Sequence, residues 1–157
     1  MHYLAKVRKE GRATLIEFPD CPGCQTFADQ GQDVESIARE ALEGWLEAHM
    51  IGSAAPPRPS GAPVPRKHIG VCVSPALAIA MQIRWRRQEL GWSQADLGGH
   101  LAVSRQQAAS LEDPDANLRL STLEKAAAAL QMHLSIEFTP TTVAKGRKSV
   151  HAWRSRG

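Results

Sequence analysis

The segment Gly91–Leu111, which reads GWSQADLGGHLAVSRQQAASL, limits the fold of this chain more than any other stretch. Ser93 can cap a short helix, and Asp96 follows three residues later as the return half of a capping box. The same spacing recurs with Ser104 and Gln107, after residues that can form a turn. The spacing therefore predicts two short helices joined by a tight turn.

The second of these helices would expose side chains that suit DNA. Arg105, Gln106 and Ser110 fall on its outer side. Arginine and glutamine carry paired donors and acceptors that match guanine and adenine edges in the major groove. We therefore predict a helix-turn-helix whose second helix reads double-stranded DNA. The alternative is a helix face that is only solvated.

Charge is distributed unevenly along the chain. Residues 1–51 carry 5 basic and 9 acidic side chains, whereas residues 139–157 carry 5 basic side chains and no acidic one. An acidic front and a basic rear suggest two tasks, the second involving a polyanion. The basic tail is expected to be disordered. It either grips DNA phosphates or only keeps the end of the chain soluble.

The front of the chain predicts a small α+β unit. Alternating apolar and polar residues favour strands over His2–Arg8, Ala13–Phe18 and Cys24–Ala28. Asp33–His49 places its apolar residues at helical spacing and is the strongest helix in the chain. One helix packed across a three-stranded antiparallel sheet gives an α+β fold.

The middle of the chain predicts a linker followed by a strand and a helix. Gly52–Pro65 holds five of the ten prolines and is typical of an extended linker. His68–Val73 alternates like a strand, which either returns to the front sheet or pairs elsewhere. Ser74 and Pro75 then supply a cap and a first-turn proline for a helix.

Towards the C-terminus, the sequence predicts one more helix and a single strand. Ser121–Leu130 predicts a helix capped by Ser121, with Glu124 as its partner. His133–Phe138 alternates like a short strand, which is not stable by itself. Its copy in a second subunit is a natural partner, so we expect a homodimer, with a tetramer left open.

Length and composition bound the class of protein. A chain of 157 residues can hold one domain or two small ones. It lacks the roughly 18 apolar residues of a membrane span and the apolar part of a secretory signal. A cytoplasmic protein without a membrane partner is therefore expected. Three cysteines do not make a disulfide framework.

The sequence Cys21-Pro22-Gly23-Cys24 has the spacing of a zinc knuckle or a redox pair. A structural zinc ion needs four ligands, and only Cys72 and scattered histidines remain to complete the set. The preferred interpretation is a turn followed by a buried cysteine.

Four acids, at Glu17, Asp20, Asp29 and Asp33, raise the alternative of a nuclease cluster that holds magnesium. Three of them lie in turns or at a helix cap, where acids are common for local reasons. No Ser-His-Asp order, glycine-rich phosphate loop or HExxH motif is present. We therefore expect no catalytic residue, no metal and no cofactor. Surface acids could instead mimic RNA phosphates and attract a basic protein.

From Ala76 to about Phe138 the chain resembles the XRE/Cro-like helix-turn-helix family. The resemblance depends on several spaced matches, which are Arg87, Trp92-Ser93-Gln94, Leu97, Leu101, the AVS turn and the STLEKAAAALQ helix. It implies a phosphate contact and a set of base-facing or flanking residues on the second helix. The DNA-binding set is then Gln94, Ser104, Arg105, Gln106, Gln107 and Ser110.

Two positions depart from that family's pattern. Gly98 stands where the family usually has a packed alanine, which should cost about 1 kcal/mol of helix propensity. Ala102 stands where the turn usually has glycine, and an alanine held at positive φ is mildly strained.

The front, from Met1 to Leu46, resembles the N-terminal domain of HicB antitoxins. Its matches are Tyr3, the FPDCPGC stretch, Gly31 and the acidic-apolar helix. The resemblance implies a degraded RNase H-like topology without catalysis. It also implies binding to a small HicA-like toxin of double-stranded-RNA-binding fold, whose mRNA-cutting site is masked, and a C-terminal half that dimerises and represses the operon of the pair.

The sequence as a whole predicts an α+β protein of two linked units. Residues 1–51 would form a HicB-like toxin-binding domain and 52–67 a proline-rich linker. Residues 68–138 would form an XRE-type all-α helix-turn-helix domain with a short C-terminal strand, which dimerises through Leu134, Ile136 and Phe138. Residues 139–157 form the tail. Two alternatives remain: a stand-alone XRE-type regulator whose front domain senses a small ligand, and an enzyme of RNase H descent.

Overall fold

The structure, a computed structural model, describes residues 1–138. The predicted tail, 139–157, lies outside the described residues. The front of the chain forms a four-stranded antiparallel sheet in the order β3-β2-β1-β4. Its strands are β1 (His2–Glu10), β2 (Ala13–Glu17), β3 (Gln25–Ala28) and β4 (His68–Cys72). The three predicted front strands are confirmed, and a fourth joins them.

Helix α1 (Val34–Ile51) crosses one face of this sheet. Asp33 caps the helix by accepting a hydrogen bond from the Glu35 N–H at 3.2 Å. Apolar residues recur every four positions along one side and pack on the sheet residues Tyr3 and Ile16. The buried stripe consists of Ala38, Leu42, Leu46 and Met50.

Strand β4 belongs to the front sheet. It pairs antiparallel with β1, so that Tyr3 lies opposite Val71 and Ala5 opposite Ile69. Without β4, the backbone groups along this side of β1 would form an unpaired sheet edge. The pairing moves residues 68–72 out of the predicted 68–138 unit and into the front one, where Val71 is buried in the core.

The proline-rich linker runs along the protein surface and is held at several points. The Trp85 indole N–H donates to the Pro56 carbonyl and the Tyr3 hydroxyl donates to the Pro57 carbonyl, both at 2.7 Å. Buried tryptophan and tyrosine side chains need such partners for their polar atoms. The linker is therefore a packed segment, which the proline content alone did not predict.

Helix α2 (Pro75–Glu89) is shared by two hydrophobic cores. It begins as predicted, with the Leu77 N–H donating to the Ser74 hydroxyl at 3.4 Å and proline in the first position. Met81 and Trp85 pack into the front core, whereas Ile83 belongs to a second core. The two units therefore share one helix.

The second core is formed by α2 and three further helices, α3 (Gln94–Leu101), α4 (Arg105–Ser110) and α5 (Leu120–Ala129). The predicted cap of the last helix at Ser121 is wrong. The amides of Thr122 and Leu123 already donate to the Arg119 carbonyl, so the helix begins at Leu120 without a side-chain cap. The core itself is small and fully apolar: Ile83, Leu97, Ala108, Leu111, Ala126 and Leu130.

The strand predicted over His133–Phe138 is not formed in the structure. A strand needs a neighbour that shares its backbone hydrogen bonds, and none of the strands within residues 1–138 pairs with this segment. Ile136 and Phe138 are left exposed. Among the described residues, none of the helices has the length and apolar character to cross a membrane.

Candidate nucleic-acid interface

Helix α3 begins with the predicted capping box. The Asp96 N–H donates to the Ser93 hydroxyl at 3.1 Å, and the Ser93 N–H donates to the Asp96 carboxylate at 2.7 Å. The Ser93 hydroxyl donates to the same carboxylate, and these bonds lower the pKa of Asp96. The charged form of Asp96 is therefore the one that fixes the start of α3.

The turn after α3 has the left-handed geometry expected from the resemblance to the helix-turn-helix family. Ala102 adopts φ 54° and ψ 41°, a region that costs an L-residue free energy. The chain then folds back so that the Val103 N–H donates to the Gly98 carbonyl at 2.9 Å. A Cβ atom on Gly98 would lie 2.9 Å from the Val103 oxygen. Gly98 thus permits the close approach of helix and turn.

Helix α4 begins with a second capping box, also as predicted. The Gln107 N–H donates to the Ser104 hydroxyl at 3.2 Å, and the Ser104 N–H donates to the Gln107 side-chain oxygen at 3.0 Å. The Ser110 hydroxyl donates to the Gln107 carbonyl at 2.7 Å. Three of the predicted DNA-binding side chains therefore already stabilise the helix that carries them.

Arg105 and Gln106 are the two side chains of this set that have no hydrogen-bond partner among residues 1–138. Both are exposed, and neither makes a side-chain hydrogen bond within residues 1–138. The inner side of the helix is held by Ala108, which is fully buried. The free donors and acceptors of an arginine and a glutamine, side by side on a capped helix, can pair with base edges in a major groove.

A buried ion cluster lies behind the helix pair. Glu112, just after α4, accepts hydrogen bonds from Arg84 Nε at 3.0 Å and from Arg87 Nη2 at 3.1 Å, and Arg87 Nε donates to its other oxygen. The side chains of all three are at most 10% exposed. Gln94 Nε2, at the start of α3, lies 3.5 Å from the same carboxylate. The cluster therefore joins α2, α3 and the end of α4.

Each arginine of the cluster also donates to a backbone carbonyl. Arg84 Nη1 donates to the carbonyl of Gly52, the residue that ends α1, at 2.9 Å. Arg87 Nη1 donates to the Trp92 carbonyl at 2.6 Å. Buried charges are tolerated when they are paired and hydrogen-bonded in this way. The cluster thus links the end of the front helix to the end of α4.

This cluster was not predicted from the sequence, in which Arg84 and Arg87 stand three residues apart. The signal that could have found it is their spacing of three, which puts both on one face of a helix that is apolar on two sides. Glu112 gave no comparable signal, because it lies outside any helix.

The two cysteines of the CPGC motif lie in the front core. The Cys24 N–H donates to the Cys21 carbonyl at 2.9 Å, which closes the predicted turn. Burial, together with the neighbouring Cys24 and Asp20, raises the pKa of the Cys21 thiol to about 12, and burial raises the pKa of Cys24 to about 11. Redox exchange and metal binding need the thiolate, so this environment disfavours both.

The four acids of the nuclease alternative are spread over local structural roles. Asp33 caps α1, and the Asp20 carboxylate accepts a hydrogen bond from the Ser60 N–H at 2.9 Å. Within residues 1–138, no three His, Cys, Asp or Glu side chains are grouped so that they could hold a metal ion. Glu17 lies on β2 and Asp29 just after β3.

The three residues assigned to dimerisation lie together near the end of the described chain. Leu134 is half-buried, Ile136 is 55% exposed and Phe138 is 94% exposed.

The fold and the site define an α+β protein, with a four-stranded sheet and five helices within residues 1–138. No protein-family model matches the chain, and no curated protein is significantly similar to it. Among solved structures, it is similar to a hypothetical transcription factor, NHTF, from Neisseria, with 32% sequence identity. The match covers 38% of this chain and 69% of that one, with a TM-score of 0.37.

Proposed function

We propose that this protein is a DNA-binding regulator in which α3 and α4 form a helix-turn-helix and α4 reads the sequence. The observation that carries the proposal is the pair of free side chains, Arg105 and Gln106, on a helix fixed by its own capping box. The buried cluster around Glu112 holds the end of that helix against α2. A rigidly held helix with free donors and acceptors is what base reading requires.

The same proposal gives the other predicted residues supporting roles. Gln94, half-buried beside Glu112 at the start of α3, is placed to contact a phosphate rather than a base. Ser104, Gln107 and Ser110 hold α4 in shape and can add contacts at its edge. No residue is given a catalytic role.

Replacing Arg105 tests the reading helix. Arg105→Ala should lower the affinity for the DNA upstream of the protein's own gene by about 1–3 kcal/mol and relax specificity at the contacted bases. Gln94→Ala should weaken binding to all sequences alike, because phosphates carry no sequence information. Fluorescence anisotropy with the native site and a scrambled duplex, at fixed salt, measures both effects.

The control for this test is Glu124→Ala, an exposed substitution on α5 that should leave both affinities unchanged. If Arg105→Ala binds the native site as tightly as the wild type does, α4 does not read bases and the proposal is wrong.

We further propose that the protein is the antitoxin of a toxin–antitoxin pair and represses its own operon. The support is the resemblance of its front to HicB antitoxins together with the acidic outer side of α1, where Glu35, Glu40 and Glu47 are exposed. An acidic surface attracts a small basic protein and speeds its association. Co-purification of the full chain with the product of an adjoining small basic reading frame tests this role. A chain that binds DNA but no such protein would instead be a stand-alone regulator.

A further inference from the structure

A groove of about 600 Å³ separates helix α1 from the segment that follows α4. Its floor includes the side chain of Met50 and the buried pair Arg84 and Glu112. The front unit supplies one wall and the helix-turn-helix unit supplies the other, so an occupant would touch both.

The α1 wall of the groove is small and largely apolar. Gly44, Glu47, Ala48 and Ile51 are spaced as one stripe along the exposed side of the helix. A Cβ atom on Gly44 would meet nothing within 4 Å, and Ile51 is 90% exposed. An exposed isoleucine beside two small residues leaves apolar surface in contact with water, which favours a partner that covers it.

The opposite wall is acidic. Asp113 and Asp115 are exposed on either side of Pro114, and the Asp113 carboxylate accepts a hydrogen bond from the Asp115 N–H at 3.0 Å. None of the salt bridges among residues 1–138 involves these two acids or Glu47 across the groove. The groove therefore combines an apolar surface with three acids that lack a cationic partner there.

This combination fits lysine and arginine side chains of a protein. Their aliphatic stems cover apolar surface while their charged ends meet carboxylates at the rim. A groove with walls on two structural units and open to solvent suits a protein surface better than a small molecule, which is normally enclosed.

We propose that this groove is the contact surface for the small basic partner protein, with basic side chains of the partner lying between Glu47 and Asp115. The inference rests on the proposed antitoxin function. It goes further by placing part of the contact on the segment directly after α4, so that the bound partner touches the DNA-reading unit as well as the front unit.

Charge reversal on both walls tests the groove. The double variant Glu47→Lys with Asp115→Lys, and separately Ala48→Trp, which fills the groove, should each weaken binding of the purified product of the adjoining basic reading frame at least about tenfold. The matched control is Glu40→Lys, compared with Glu47→Lys alone: both make the same charge change at an exposed glutamate of α1, and only Glu47 lines the groove. Biolayer interferometry on the full chain gives both rate constants.

The two rate constants distinguish direct contact in the groove from long-range electrostatic attraction. We expect the groove variants to raise the dissociation rate, whereas Glu40→Lys should change only the association rate, by about threefold or less, through long-range attraction. Thermal unfolding monitored by circular dichroism verifies that all variants fold.

The possible failures are distinguishable. If the wild-type chain does not bind the protein, the proposed antitoxin function fails and the groove proposal falls with it. If the wild type binds and the groove variants lose no more affinity than Glu40→Lys, only the groove proposal is wrong. A change in oligomeric mass with unchanged partner binding would assign the groove to contacts between copies of this chain, and would also overturn it.

Discussion

Gly98 and Gly99 are adjacent in α3 and differ in what surrounds them. A Cβ atom on Gly98 would lie 2.9 Å from the Val103 oxygen, whereas one on Gly99 would meet nothing within 4 Å. Alanine is favoured over glycine within a helix by about 1 kcal/mol. We expect Gly99→Ala to raise the free energy of unfolding by up to about 1 kcal/mol. Gly98→Ala should lower it by about 1–3 kcal/mol, because the added atom overlaps backbone.

Urea unfolding of the two variants measures the difference, with each serving as the control for the other. If both variants are stabilised equally, the turn can shift to accommodate the added Cβ atom without a loss of free energy. The close approach assigned to Gly98 would then be wrong.

Around the turn after α3, only part of the backbone geometry could be predicted from the sequence. The left-handed turn at Ala102 was expected from the resemblance to the helix-turn-helix family, in which glycine usually stands at this position. The need for glycine at position 98 could not be predicted. From the sequence, Gly98 was expected only to cost helix propensity. That need comes from the Val103 carbonyl five residues later, whose position depends on how the turn folds.

At the scale of elements, Glu112 connects the end of α4 to α2 and α3. It is the one carboxylate facing two buried guanidinium groups in the described structure. We expect Glu112→Ala to lower the free energy of unfolding by about 3–5 kcal/mol, because Arg84 and Arg87 would keep their buried charge without a counter-charge. Chemical denaturation measures this loss.

An exposed acid three residues later supplies the control for that substitution. Asp115→Ala removes the same charge without breaking a side-chain hydrogen bond within residues 1–138, and its effect should stay within about 0.5 kcal/mol. Similar losses from the two variants would mean that the buried cluster contributes little to stability.

The helices differ in whether residues close in sequence determine where they begin. The starts of α1, α2, α3 and α4 were predictable, since each depends on a cap within a few residues. The start of α5 was not, because Leu120 begins the helix without a side-chain cap and its position is fixed by packing of Ala126 and Leu130. Ion pairs between distant elements, such as Arg84 with Glu112, leave no periodic signal.

At the scale of the molecule, the segments predicted as a front domain, a linker and a rear domain are joined by hydrogen bonds, by β4 and by α2. The linker accepts hydrogen bonds from Trp85 and Tyr3, and β4 returns to the sheet after it. Composition indicated a spacer because proline disfavours helix and sheet, but it says nothing of what packs on the segment. Helix α2 contributes to both hydrophobic cores. A fragment of residues 1–51 would therefore lack part of the front core.

The last prediction concerns assembly. In residues 1–138, Phe138 is the most exposed large apolar side chain and Ile136 also projects into solvent. The sequence predicts that these residues, with Leu134, contact a second subunit. Ile136→Asp combined with Phe138→Asp should then convert the protein to a species of one chain, 17.1 kDa, because burying two carboxylates in an apolar contact is costly.

Light scattering after gel filtration measures the mass, and operator binding should fall with it, since a helix-turn-helix dimer gains affinity by contacting two half-sites at once. Ser135→Asp is the control: it adds one carboxylate to the same segment, at a position that would face the opposite side if the segment pairs as a strand in the dimer. A dimer that survives the double substitution while Ser135→Asp behaves like the wild type would place the subunit contact elsewhere on the molecule.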